Sequence, residues 1–239
     1  MSMGTSQHTV KTIAAIPFQA DRQRLQQILH VRDDSRYFPL LMRLVEEAEQ
    51  LARPKAVYRQ AFVEERGEDW VVLAGRRFVS RVMSVNLQEA GQAFFFVATC
   101  GMELEEWSLS ITDMLEKFWA DAIKEMALAK AVQSLEEQLE RRYHLSDLSA
   151  MHPGSLEDWP LKAQQDVFGM LGEAPAEIGV TLTPSYVMRP VKSVSGIYFP
   201  TASSFASCQL CPRENCRSRK APFDAELFEK RYQVSQKAG

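Results

Sequence analysis

Within 37–51 the apolar residues Leu40, Leu41, Leu44, Val45 and Ala48 recur at helical spacing, and Pro54 follows, so the segment reads as a helix. A β-branched and apolar run at 11–18, ending in a proline region, predicts a first short strand. Two runs rich in Val and aromatics, 56–63 and 70–74, flank the charged, Gly-containing stretch 64–69 and predict a hairpin. The run Ala-Phe-Phe-Phe-Val-Ala-Thr at 93–99 is apolar almost throughout, the pattern of a strand covered on both faces. After Gly101 some forty residues turn helical, with Trp119, Ala122, Ile123, Met126, Ala129, Val132 and Leu139 at near-helical intervals; two helices or one kinked helix fit. Two prolines and a glycine within 151–160 demand a shaped loop, and a short helix follows at 161–171, closed by Gly172. Strands are expected at 180–183 and 193–199 around a loop at 184–190. A capping helix is expected at 224–232, with Asp224 as its N-cap.

Strands and helices are grouped and do not alternate as βαβ units, which predicts an α+β fold with a curved, mostly antiparallel sheet packed with long helices. One domain is expected over 1–200, with a cysteine-containing extension, 201–239, packed on it. The 239 residues are 46% hydrophobic and 25% charged with a formal net charge of -3, so the basic excess that phosphate backbones require is missing and nucleic acid is not an expected partner. No stretch approaches the roughly 20 apolar residues of a membrane helix, and the polar start has no apolar signal segment, so a cytoplasmic location is expected.

Three of the four cysteines, Cys208, Cys211 and Cys216, fall within nine residues and are followed by Arg217, Arg219 and Lys220, whose charge favours thiolates. In a reducing compartment this spacing points to zinc or an iron-sulfur cluster, with solvent-exposed thiols or a redox pair as the other readings. Zinc would want a fourth ligand, for which Cys100 or His152 is the candidate. Other polar residues have structural readings beside the functional ones. Glu103, Glu105 and Glu106 suit a solvated first helical turn, where the helix dipole favours acids, with Glu103 or Glu105 as the one to face a groove. His144 suits a helix end, the methionines Met102, Met114 and Met126 suit a core, and Tyr186 and Tyr198 are candidates to stack on a planar ligand.

Three pieces stand out in order: Thr99-Cys100-Gly101-Met102-Glu103-Leu104-Glu105; Pro153-Gly154-Ser155 with Asp158-Trp159-Pro160-Leu161 and Gln164; and Ile178-Gly179-Val180-Thr181-Leu182-Thr183 followed by Met188, Pro190 and Lys192-Ser193-Val194-Ser195-Gly196. Together they resemble the reactivation domain of cobalamin-dependent methionine synthase, here with an added C-terminal cysteine cluster. The resemblance spans about 99–199. It implies that the chain binds S-adenosylmethionine in a groove and caps a partner's corrinoid, whose inert cob(II) state is reduced by an electron donor and methylated from S-adenosylmethionine. The candidate residues of that groove are Glu103, His152, Pro153, Gly154, Ser155, Tyr186, Ser193, Val194, Ser195 and Gly196. A Pro-Gly loop lets backbone approach a ligand without an intervening side chain.

Two departures bear on affinity. The family's loop reads Arg, two residues, Pro-Gly-Tyr, and its arginine and tyrosine positions hold Ala150 and Ser155. Loss of a guanidinium that grips a carboxylate costs about 1.5–3 kcal/mol, so weakened S-adenosylmethionine binding is expected. The chain also lacks the Asp-x-His-x-x-Gly corrinoid-ligating signature, so a corrinoid-carrying methyltransferase must be a separate partner. The expected role is an accessory factor for a cobalamin-dependent methyltransferase. The alternative is a metal-binding or redox-sensing protein that kept the fold and lost the ligand.

Overall fold

The computed structural model describes residues 9–88, 90–155, 157–201, 207–211, 213–215, 219 and 221–232. Strand β1 (Lys11–Ile13) leads into helices α1 (Arg22–Leu29) and α2 (Phe38–Leu51), then strands β2 (Lys55–Arg66), β3 (Trp70–Leu73) and β4 (Arg76–Val79). After α3 (Arg81–Asn86) come β5 (Gln92–Thr99), α4 (Met102–Ser110) and the 30-residue α5 (Met114–Tyr143). Strand β6 (Leu148–Met151), α6 (Gln164–Leu171), α7 (Ala174–Glu177), the small pair β7 (Thr181–Leu182) and β8 (Met188–Arg189), and β9 (Ser193–Pro200) complete the body. The main sheet runs β4-β3-β2-β5-β9-β6, with β1 also on β2, and its pairings are antiparallel.

Alternation along the strands builds two apolar layers. Phe95 and Val97 of β5 with Ile197 and Phe199 of β9 face α3 and α6. Phe94, Phe96 and Ala98 with Tyr198 face α5, where Ala131, Leu135 and Leu139 cover them. Strand β5 is therefore buried on both faces, as its continuous apolar run predicts. A third cluster packs α1, α2 and α4 on the N-terminal half of α5 around Leu41, Leu44, Val45, Trp119 and Ile123.

Several expectations shift. The first strand is shorter than 11–18. The hairpin has a third strand, β4, and a register irregularity between Val63 and Glu65. The long helical stretch is two helices, broken where Asp113 caps α5 by accepting from the Leu115 and Glu116 amides at 2.9 and 3.0 Å. His144 ends α5 in the left-handed conformation at φ 54°. The described part of the tail closes in a turn of π-helix, Phe228–Tyr232, shorter than the expected helix, and Asp224 accepts from the amides of Glu226 and Leu227 in the turn that leads into it. The expectation that Met114 is core is wrong. As the first residue of α5 it is 78% exposed, because the apolar stripe begins a turn later at Trp119.

Candidate functional site

Strand β9 gathers the three sequence motifs. Its first residue, Ser193, sits opposite Thr99 at the end of β5, and the Ser193 hydroxyl lies 2.9 Å from Thr99 Oγ1 and 2.8 Å from the Pro190 carbonyl. The Cys100 amide donates to the Lys192 carbonyl at 3.0 Å. Next, Gly101 turns the chain into α4 at φ +97°; a Cβ there would lie 2.6 Å from both the Arg53 carbonyl and Glu103 Oε2, so a side chain has no room. Gly179, also at positive φ, packs against Met102. The first and third motifs thus meet at the α4 end of the sheet.

The second motif joins further along β9. Met151 of β6 pairs with Ile197, and His152 Nδ1 lies 3.1 Å from the Ser195 carbonyl. The imidazole meets the Phe96 ring edge-on at 5.9 Å between centroids. A Cβ on Gly196 would lie 2.2 Å from the Met151 carbonyl and 2.9 Å from His152 Nδ1, so the chain's own backbone and imidazole fill the space that this glycine opens. The Pro-Gly loop then folds on itself. Gly154, at φ +82°, donates its amide to the Trp159 carbonyl at 2.8 Å, and Ser155 donates to the His152 carbonyl at 3.1 Å. Pro153 and Trp159 are buried while Gly154 is exposed and Ser155 half-buried.

Hydroxyls and aromatics in this region are bound up with the protein. Ser195 Oγ, buried, donates to Gln164 Oε1 at 3.4 Å on the α6 face, and Val194 packs against the α5 layer on the other face. Tyr186, half-buried, occupies the tight turn between β7 and β8 at φ +62°. Tyr198 stacks on Phe96 at 4.6 Å and donates to Glu136 Oε1 at 2.8 Å; burial, reinforced by that carboxylate, raises its phenol well above the usual range.

A charge network at the same end has no counterpart in the sequence reading. Lys192, just before β9, pairs with Asp121 at 2.9 Å and Glu125 at 3.3 Å on α5. Burial works against its ammonium, but the two carboxylates outweigh it and raise its pKa. Lys55 pairs with Glu103 at 2.9 Å, and the other oxygen of Glu103 is buried with no hydrogen-bond partner among the described residues. Lys124 pairs with Glu105 at 2.8 Å with both side chains about nine-tenths buried. The expectation of a solvated first turn is therefore wrong for Glu105, which faces inward because α5 offers it a cation. The sequence did hold a signal: Lys124 lies on the stripe Ala120, Ala127 and Ala131, where a lysine needs a partner.

Cys100 lies beside this pair, fully buried, and burial is the main reason its thiol is pushed up to about 12. Cys100 packs in the cluster of α1, α2 and α4, whereas Leu210, between Cys208 and Cys211, packs on the α3 and α6 cluster, so Cys100 and the cysteine turn lie against different apolar layers. In the tail, Cys208 and Cys211 are half-buried, and Cys216 lies outside the described residues. Among the described residues no group of three or more His, Cys, Asp or Glu side chains is arranged to hold a metal, and no helix is long and apolar enough to cross a membrane. The tail docks on the α3 side of the body. There Tyr232 is buried, its hydroxyl donating to Asn86 Oδ1 at 2.8 Å and its carbonyl accepting from Arg81 Nε at 2.7 Å.

No protein-family model matches the chain, and no curated protein matches it. Among solved structures it is similar to the MetH reactivation domain bound to AdoHcy, with a TM-score of 0.58 over 84% of this chain and 82% of that one. The two chains share a fold. At 16% identity the likeness concerns architecture, and it agrees with the α+β class and antiparallel sheet that the sequence implies.

Proposed function

We propose that the chain is an accessory factor for a cobalamin-dependent methyltransferase of the methionine synthase type, acting in the cytoplasm. It would bind S-adenosylmethionine along β9 and cap a partner's corrinoid, so that cob(II)alamin reduced by an electron donor is remethylated. The observation that carries this reading is the convergence of three separated motifs on one strand, Thr99–Glu105 by way of Ser193 and the Pro153-Gly154 loop by way of Ser195, in a fold shared with a domain solved with AdoHcy. Glu103, His152, Pro153, Gly154, Ser155, Tyr186, Ser193, Val194, Ser195 and Gly196 remain its proposed binding residues.

Calorimetric titration with S-adenosylmethionine tests it directly. Weak binding is expected, and Ala150→Arg, on β6 beside the Pro-Gly loop, should tighten it roughly tenfold by restoring a guanidinium for the ligand's carboxylate. In a mixture of corrinoid protein in the cob(II) state, reductant and S-adenosylmethionine, the methylcobalamin absorbance should appear faster when the chain is added. No heat from either protein and no effect on that rate would refute the proposal.

A second reading, a metal-binding or redox-sensing protein on the same fold, is favoured by the order around Cys208 and Cys211, whose carbonyls both accept from Arg219. It assigns zinc or an iron-sulfur cluster to Cys208, Cys211 and Cys216. Protein purified without oxygen should then carry near-stoichiometric zinc or iron, most of which is lost on any one Cys→Ser change.

A further inference from the structure

The cysteine-bearing turn is held more firmly than a surface tail needs to be. Residues Ser207–Gln209 form a 3₁₀ turn, and the Cys211 amide donates to the Cys208 carbonyl at 3.3 Å, closing a ring from residue i to i+3. A turn of that kind brings its terminal Cα atoms to within about 7 Å, which overlaps the roughly 4.4–6.8 Å that a disulfide spans. The guanidinium of Arg219 clasps the turn from below. Nη1 donates to the carbonyls of Cys208 at 2.9 Å and Ala221 at 3.2 Å, and Nη2 to that of Cys211 at 3.3 Å and to that of Arg213. The Asp224 amide adds a bond to the Gln209 carbonyl at 2.8 Å. Between the two cysteines, Leu210 packs on the same core cluster as Met151, Ile197 and Tyr232.

We propose that Cys208 and Cys211 are a reversible dithiol–disulfide pair, a modification site that the Arg219 clasp holds ready to close. The proposal rests on the redox reading of the tail and names its chemistry. The oxidant is a low-molecular-weight disulfide of the glutathione class. One protein thiolate attacks it, its S–S bond breaks, and one small thiol leaves. The second protein thiolate then attacks the resulting mixed disulfide, forming the Cys208–Cys211 bond and expelling the second small thiol. Two protein thiols are oxidised, one small disulfide is reduced to two thiols, and the two protons pass to those thiols. Arg219 touches neither sulfur in this scheme and acts as a positioning residue.

The test uses the full chain, stripped of metal by a chelator, equilibrated with oxidised and reduced glutathione and mapped by peptide mass spectrometry after alkylation. The expected product is a peptide carrying Cys208 joined to Cys211, reversed by excess reduced glutathione, while Cys208→Ser and Cys211→Ser instead accumulate a glutathione adduct on the remaining thiol. Arg219→Ala should lower the equilibrium constant for ring closure about tenfold by loosening the turn, with the glutathione adducts of the single-cysteine variants unchanged; Arg219→Lys should recover part of it. Stable glutathione adducts on wild-type Cys208 and Cys211, or a disulfide from either one to Cys216, would overturn the pair. Thiols that stay unreactive because zinc or iron resists the chelator would overturn it too and leave the metal reading standing. Free alkylation with neither metal nor disulfide would end both.

Discussion

The rim along β9 and the tail hold the two proposed sites, and they are held in different ways. β9 is hydrogen-bonded on both edges, to β5 from Phe94–Tyr198 through Thr99–Ser193 and to β6 from Leu148–Pro200 through Met151–Ile197. Its serines, its glycine and the adjoining histidine are locked into protein contacts, and the buried Glu105–Lys124 pair ties α4 to α5 next to the Cys100 turn. The described part of the tail is held by a few side chains, Leu210, Leu227 and Tyr232 against the core and Arg219 beneath the cysteines. A rim determined by two ladders moves little without unfolding, whereas the described part of the tail is fastened by individual side chains. Ligand positioning would suit the first arrangement and reversible modification the second.

The largest effect should come from the rim's buried pair. Lys124→Met leaves the Glu105 carboxylate buried without its cation and should cost about 3–5 kcal/mol in urea unfolding; adding Glu105→Leu should recover most of that. If the single change proved nearly neutral, the rim would be less rigid than its ladders suggest. Gly196→Ala comes next, at about 1–3 kcal/mol, because the neighbour that must give way is the Met151 carbonyl and not a flexible side-chain end. It should also weaken S-adenosylmethionine binding and leave the alkylation rates of Cys208 and Cys211 unchanged, which separates rim from tail. Tyr232→Phe removes the hydrogen bond to Asn86 and should cost about 1 kcal/mol while speeding alkylation of Cys208 and Cys211. An equal loss of rim binding in that variant would show that the two regions are one cooperative unit.

The smallest expected effect is pH-dependent. Cys100 holds its proton up to about 12 in the folded chain and releases it near 9 when unfolded, so above pH 9 the unfolded state binds fewer protons and stability falls as pH rises. Cys100→Ala should flatten that slope by roughly 1 kcal/mol between pH 9 and 10, measured by urea unfolding at each pH.

Much of the fold was legible because it depends on local pattern. The apolar run of β5, the stripe of α2, the Pro-Gly loop and the helix after it fall where periodicity and turn residues place them. The third strand of the hairpin was not, since Arg76-Arg77-Phe78-Val79 carries one buried residue and owes its strand state to pairing with β3. The three motifs of the rim could be read off as residues, and so could the spacing of Cys208 and Cys211. What the chain order does not contain is which hydroxyl meets which acceptor across 31 residues, as Ser195 does Gln164, or that Glu105 turns inward to Lys124 on another helix. Propensity, capping and alternation act over a few residues and are written in the sequence. Partner choice for a buried charge, the filling of the space at Gly196 and the docking of Tyr232 depend on segments brought together from far along the chain, and only the tertiary structure decides them.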